Sequence, residues 1–326
     1  MRRLTELTAD RTDGASLTLN ACINAWRAQA GHSRATAANY DRAQSELPVH
    51  LLATPIGKVK AADVRAVVEH LVATRNVHFA RLAHAVISGG LTHAWRMEWI
   101  RDNPARRVRI PAQPKRAATT PDAATVARLA EVAAEDPELH AWLLVSAHVG
   151  GRRSEILALH WSDIDLDAGS VRIDSALDPV ARLGPGMEKT TKTDTARTVA
   201  IGAQTTAALQ RWRTTFRERA LSVGLLPVDD PYVFTTDLAG ELPWRPDRGT
   251  KRFAQLRDAT GITGVRLHDL RHFVATELLS AGVPVKTVAG RLGHTRTHNT
   301  ADTDGHALPA DDLASAAVLE QGLAGQ

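Results

Sequence analysis

From Ser16 onward the apolar positions recur every three or four residues. Leu19, Ile23 and Trp26 fall on one face, the spacing of an amphipathic helix. The same period predicts helices over about 34–47, 61–74 and 78–99, with Gly31, Pro48, Pro55-Ile56-Gly57 and Asn76 as punctuation. In the second half it returns near 121–135, 138–148 and 153–160, then near 203–221, 249–259, 268–281 and 284–292. Thr120-Pro121-Asp122 reads as a helix start, with threonine capping and proline in the first turn, and Pro284 marks another. Val171-Arg172-Ile173 and Thr198-Val199-Ala200-Ile201 have the alternation of short strands and bracket a turn-rich stretch, 174–197. From Pro309 to Gln326, Leu313, Ala317 and Leu323 fall near helical spacing.

These elements predict a mainly α protein of two domains with a small β-sheet in the C-terminal one. Residues 1–15 are polar and read as a flexible tail, and 16–103 as a small helical domain. Asn103-Pro104 closes it. The stretch 104–119 carries Arg106, Arg107, Arg109, Lys115 and Arg116 between prolines, the composition of an extended basic linker suited to tracking a nucleic-acid backbone. The second domain is expected over 120–326.

The chain has 326 residues, long enough for two cores, and its 23% charged content is that of a globular protein. No apolar run reaches membrane-span length, and the N-terminus lacks a signal-peptide pattern. A single cysteine, Cys22, excludes an internal disulfide framework, fits a cytoplasmic location and falls where a core thiol is expected. Charge is uneven. Residues 1–119 hold 18 Lys and Arg against 9 Asp and Glu, a net +9, while the remainder holds 22 against 27, a net −5. A basic half joined to an acidic one fits a clamp on a polyanion, and equally fits solvated basic faces.

The chemistry-bearing residues sit at element ends. Arg152 follows Gly150-Gly151 at a helix start, and Glu155, one turn on, shares its face and is placed to orient the guanidinium. His268 and Arg271 share a face at the start of another helix. Arg271 offers bidentate recognition of phosphate oxygens, and His268 a proton donor or shuttle. His294 follows Leu292-Gly293, and Lys192 lies in Thr190-Thr191-Lys192-Thr193 at a predicted hairpin tip. Each of these alone is as readily a surface or structural residue. The spacing His294-x-x-x-His298, with His306 nearby, suggests a metal, but no cysteine accompanies it, and no metal site or cofactor is expected.

Taken together, Gly150-Gly151-Arg152-Arg153-Ser154-Glu155, Thr191-Lys192-Thr193 ahead of Arg197-Thr198-Val199, His268-Asp269-Leu270-Arg271-His272 and Arg291-Leu292-Gly293-His294 resemble the tyrosine recombinase, or phage integrase, family in order and spacing. Tyr40 and the basic linker extend the resemblance into the first domain. The resemblance implies a core-binding domain of SAM-like fold and a catalytic domain, closed as a C-shaped clamp on double-stranded DNA. With the first domain starting close to the N-terminus, the arm-binding domain found in some integrases is not expected. The resemblance also implies a homotetramer on paired DNA sites and a tail helix that docks on a neighbouring subunit, although a tail packed on its own domain fits the sequence as well. The implied chemistry is site-specific strand exchange through a 3′-phosphotyrosine. Arg152 and Arg271 would hold the scissile phosphate, Lys192 would protonate the leaving 5′-oxygen, and His268 and His294 would complete the site, with no metal.

The sequence departs from that pattern at the nucleophile. The family places tyrosine two residues before a final histidine, and here Asp304 stands two residues before His306. The only tyrosines are Tyr40 and Tyr232, and neither realigns to that position. A carboxylate is shorter, is repelled by phosphate, and is ionised at neutral pH. Three readings follow. The chain is a recombinase whose nucleophile has been removed, or a non-catalytic DNA-binding regulator derived from an integrase, or an Asp304-dependent nickase. In the last, the acyl phosphate would be lost to water. A carboxylate among Arg152, Arg271 and Lys192 would instead pair with them in place of phosphate, and binding without strand exchange is the expectation.

Overall fold

Helix α7, Pro137–Val149, organises the second half of the molecule, because every residue from Ala141 to Val149 is buried. Its sequence is apolar on all sides, which suits a helix enclosed by others rather than one lying on a surface. The structure, a computed structural model, describes residues 16–112, 120–178, 180–181, 187–190, 196–293 and 309–323. It divides into two compact units, Met1–Arg116 and Ala117–Gln326. Each has its own apolar core.

Unit one contains α1 (Leu19–Gln29), α2 (Arg34–Ser45), α3 (Val49–Leu52), α4 (Ala61–Thr74) and α5 (Val77–Arg96). Their N-termini are closed where short polar side chains precede the apolar period: Thr18, Ser33 and Asn76 each accept a main-chain N–H of the first turn. Helices α1 and α5 cross closely. A Cβ at Gly90 would lie 2.9 Å from the Ile23 backbone nitrogen, so only glycine permits that approach. Cys22 is buried in this core, and burial pushes its thiol up to about 11.

Of the linker predicted over 104–119, residues 104–107 are not extended, and 113–119 lie outside the described residues. Pro104–Arg107 form a 3-10 turn capped by the Asn103 side chain, whose amide also donates to Ser88 O at 3.0 Å and Thr92 Oγ1 at 2.9 Å. Ala105 and Val108 are buried in the first core, and that burial sets the path of the chain. Arg106, Arg107 and Arg109 remain exposed, with Arg106 stacked 5.1 Å from the centre of the Trp95 ring.

In unit two, α6 (Ala123–Ala133), α9 (Ala203–Ser222), α11 (Asp269–Ser280) and the tail helix α13 (Pro309–Leu323) pack around α7. Helices α8 (Arg153–Ile156), α10 (Pro246–Ala259) and α12 (Val285–Leu292) complete the layer. The cap of α6 is Asp122, which accepts Thr125 N at 2.8 Å, and Pro121 lies before the helix rather than inside it. A carboxylate at a helix N-terminus gains from the dipole as well as from the hydrogen bond, so it supplants the neighbouring threonine.

Helix α8 is one turn long, shorter than the 153–160 predicted. Leu159 O must accept Val233 N at 2.8 Å and His160 bridges Tyr232, which forces the chain out of the helix. Strands β1 (Ile164–Asp165), β2 (Ser170–Ile173) and β5 (Arg197–Ala200) form an antiparallel sheet in the order β1-β2-β5. Within the stretch read as turn-rich, β3 (Ser175–Leu177) and β4 (Glu188–Thr190) pair as a second ribbon. Buried Leu177 and Met187 anchor it.

The tail helix α13 docks on its own unit, against α6, α11 and β5. Asp312 pairs with Arg291 and accepts Ala200 N, while Glu320 accepts Gln204 N at 2.7 Å at the start of α9. Of the membrane reading, no helix among the described residues is long and apolar enough to cross a bilayer.

Candidate active site

Two left-handed glycines bring the site together. Gly150 ends α7 at φ +64°, and a Cβ there would lie 2.6 Å from Leu292 Cδ2. Gly293 ends α12 at φ +69°, and a Cβ there would lie 2.8 Å from Arg197 Nη1. Both positions therefore need glycine for backbone angle and for space.

Between them lies Glu155, buried at 2% exposure. Its Oε2 accepts the Arg152 main-chain N–H at 2.9 Å, and its Oε1 accepts Arg152 Nη1 at 2.7 Å. Arg197 Nη2 donates to Oε2 at 2.6 Å, while Arg197 Nε donates to the Arg291 carbonyl at 2.9 Å. Burial alone would raise the Glu155 carboxyl, but the Arg197 and Arg152 guanidiniums outweigh it and hold the group below the ordinary carboxylate range. Arg152 Nη2 reaches the Gly293 carbonyl at 3.3 Å, and its side chain is 36% exposed, the open face of the cluster.

Arg271 enters from the first turn of α11 and donates from Nη1 to the Gly150 carbonyl at 2.7 Å. Its Nη2 is buried with no acceptor among the described residues, as is Nη1 of Arg197. Burial first, and then the charge of Arg152, push the Arg271 guanidinium down to about 10, so it stays cationic at neutral pH. Two guanidiniums, those of Arg152 and Arg197, thus share the Glu155 carboxylate, and the third, Arg271, feels its charge. The arrangement has excess positive charge and unfilled buried donors, the electrostatic complement of an oxyanion.

His268 occupies the N-cap position of α11 without a side-chain capping hydrogen bond, its ring edge-on to His272 at 5.3 Å. Burial, then His272 and Arg271, lower its pKa, which favours the neutral imidazole, a hydrogen-bond donor and acceptor. Asp269 secures the same helix start by accepting Arg266 N at 2.8 Å.

Of the residues singled out in sequence, the structure brings Arg152, Glu155 and Arg271 together, with His268 beginning the helix that carries Arg271. Lys192, His294 and Asp304 lie outside the described residues, as do His298, His306, Lys115 and Arg116. Lys192 falls between Thr190 of β4 and Arg197 of β5. Its predicted place at a hairpin tip therefore lies outside the described residues. No group of three or more His, Cys, Asp and Glu among the described residues is arranged to hold a metal. Neither tyrosine substitutes at the site. Tyr232 is buried, its hydroxyl is taken by Glu188, and burial raises its pKa, the reverse of an activated nucleophile. Tyr40 packs against Trp26 and His32 in unit one.

Arg197 and Arg291 stand within the motifs that carry the resemblance, but no role at the site was expected of either. Arg291 is fully buried, donates to Ala200 O at 2.7 Å and to His148 O at 3.1 Å, and pairs with Asp312. Its burial shows that it shapes the site from behind rather than facing a ligand.

Residues 122–303 match the phage integrase family, a range that ends immediately before Asp304. A tyrosine recombinase XerC-like protein of Caldanaerobacter subterraneus subsp. tengcongensis is 31% identical over 182 residues, covering 52% of this chain and 46% of the relative. The chain spans about half the length of the curated relatives it matches. Among solved structures, the Tn1549 transposon integrase in complex with transposon right end DNA aligns with a TM-score of 0.71 at 17% identity, over 95% of this chain and 100% of that one. A lambda integrase dimer bound to a COC' core site aligns with a TM-score of 0.65 at 17% identity, over 95% and 80%. At that identity the likeness is one of fold.

Proposed function

The chain belongs to the phage integrase family of tyrosine recombinases, and from that premise we propose that it binds double-stranded DNA and holds one phosphodiester without breaking it. The observation that carries the reading is the cluster of Arg152, Arg197 and Arg271 beside Glu155, with Arg271 Nη2 buried and without an acceptor among the described residues. In this reading Arg152 and Arg271 take the two non-bridging oxygens of the phosphate. Glu155 and Arg197 fix Arg152 from behind, and His268 donates to the same group.

Charge builds on those oxygens as a phosphoryl group is transferred, and cations fixed in advance stabilise it without a metal. Strand exchange would further need a hydroxyl nucleophile at position 304 and Lys192 as the acid for the departing 5′-oxygen. Asp304 supplies a carboxylate instead, so the chain grips but does not turn over. By the same reading Arg106, Arg107, Arg109, Lys115 and Arg116 contact the DNA backbone, and a homotetramer assembles on paired sites. The two units act as the core-binding domain and the catalytic domain.

The test is a suicide duplex carrying a nick beside the scissile position, incubated with the parent chain and with Asp304→Tyr. Covalent adducts from the variant alone are the expected result. Adducts or nicks from the parent would overturn the inactive reading and favour Asp304-dependent hydrolysis. Binding without adducts in either protein would assign the chain as a DNA-binding regulator.

A further inference from the structure

Among the described residues, five of the large apolar side chains that stand in solvent fall within one short stretch. They are Leu221 at 60% exposure, Val223 at 59%, Leu225 at 44%, Leu226 at 79% and Val228 at 36%. The stretch follows the C-terminus of α9, where Gly224 turns the chain at φ +73°. Scattered apolar side chains on a surface are ordinary, but a contiguous run of aliphatics is not.

The run borders a groove of about 290 Å³ whose wall is built by Trp161, Phe216, Leu221 and Leu226. Arg213 and Arg217, one helical turn apart on α9, stand over it. Arg213 stacks 5.4 Å from the centre of the Trp161 ring, and neither arginine has an ion-pair partner among the described residues. Arg213 is partly desolvated and feels the charge of Arg217, and both effects disfavour its cationic form. Asp229 is the one carboxylate among the residues that line the groove. The site therefore combines an aliphatic floor with a pair of mutually repelling guanidiniums.

Duplex DNA complements the arginines but offers little to an aliphatic floor, since its accessible surface is phosphate, sugar and polar base edges. An amphipathic helix with acidic flanks complements both, laying apolar anchors in the groove and a carboxylate where two guanidiniums meet. We propose that this groove docks an acidic amphipathic helix of a protein partner, with aliphatic anchors against Leu221 and Leu226 and a carboxylate bridging Arg213 and Arg217. The surface shares no residue with the Arg152–Arg271 cluster, so its occupation is independent of the phosphate reading.

The experiment uses the full chain and a fluorescein-labelled synthetic helical peptide of about 16 residues, with leucines at positions i, i+3, i+4 and i+7 and flanking glutamates. Its counterpart carries lysines in place of the glutamates. Fluorescence anisotropy is expected to give saturable binding of the glutamate peptide at about 10–100 µM and none of the lysine peptide. Leu226→Glu and Arg217→Glu are each expected to weaken it about tenfold or more, and both residues are exposed enough for the fold to survive. Arg217→Glu is further expected to gain binding of the lysine peptide.

Equal binding of both peptides, no saturable binding, or indifference to Leu226→Glu overturns the proposal. Two other results overturn it in favour of a different occupant. A dimer of this chain that Leu226→Glu dissolves in sedimentation assigns the face to a second copy. Loss of duplex binding in Arg217→Glu, without peptide binding to the parent, assigns it to DNA.

Discussion

Arg197 Nη2 donates to Glu155 Oε2 at 2.6 Å, so the carboxylate that holds Arg152 is itself held by a second arginine from the sheet. Both partners are buried, at 9% and 2% exposure. A buried pair of this kind contributes little net stability over an apolar core, but losing one partner strands the other charge out of water.

Arg197→Ala is therefore expected to destabilise unit two by about 3 kcal/mol, reduced to the extent that Arg152 still serves Glu155. It is also expected to weaken duplex binding more than its own lost charge accounts for, because Arg152 loses its orientation. Urea unfolding followed by tryptophan fluorescence measures the first effect and fluorescence anisotropy the second. Unchanged values in both would show that Arg197 merely fills space.

Removing a phosphate contact should reveal itself in the salt dependence of binding. Arg152→Ala is expected to lower duplex affinity and to reduce the slope of log K against log salt by about 1, the signature of one released counterion. Arg271→Lys keeps the charge, so its slope should match the parent. It loses the planar fork that donates to the Gly150 carbonyl and, in the proposed complex, would also hold a phosphate oxygen, so affinity should still fall at every salt concentration. A parent whose affinity does not change with salt would contradict the DNA reading altogether.

Periodicity located the helices closely because their apolar faces are what the core selects. Residues 61–74 were expected and α4 runs Ala61–Thr74, while 203–221 became Ala203–Ser222. It failed where an element is set by a distant partner. Leu159 and His160 leave their helix to pair with residues about 70 positions away, and the β3–β4 ribbon has strands too short for alternation to register. The same reason hid part of the site. Glu155 was legible because its partner Arg152 is one turn away. Arg197 reaches Glu155 across 42 positions and the Arg291 carbonyl across 94, and no spacing rule spans such distances.

His160 makes the second ribbon sensitive to alkali. Its Nε2 lies 3.1 Å from Glu188 Oε1 on β4 and its Nδ1 lies 2.9 Å from the Asp230 carbonyl. The Glu188 hydrogen bond, opposed by burial, raises the imidazole to about 9. A histidine whose pKa is raised on folding stabilises fully below its unfolded value, and that contribution fades as pH climbs to the folded one. The window here runs from about 6.5 to about 9, and the contribution is about 2–3 kcal/mol. His160→Gln is expected to be less stable than the parent at pH 6 and to approach it at pH 10, measured by urea unfolding at both. A constant difference across that range would refute the role of the charged imidazole.

The tail helix should depend on one buried charge. Arg291 is fully buried and pairs with Asp312 of α13, while its remaining donors satisfy the His148 and Ala200 carbonyls. Asp312→Ala leaves that guanidinium without a counter-charge, at an expected cost of about 3–5 kcal/mol. Because Asp312 also accepts Ala200 N, the helix should loosen from β5 and become open to trypsin. Replacing both charges, as in Arg291→Met with Asp312→Leu, is expected to restore most of the lost stability, since apolar groups of similar volume avoid the desolvation cost. Duplex binding separates the two consequences. Arg197 is held by the Arg291 main-chain carbonyl, not its side chain, so the double variant should bind DNA nearly as the parent does while Asp312→Ala binds less well. A double variant as unstable as Asp312→Ala would mean that the carbonyl acceptors, rather than the ion pair, hold Arg291 in place.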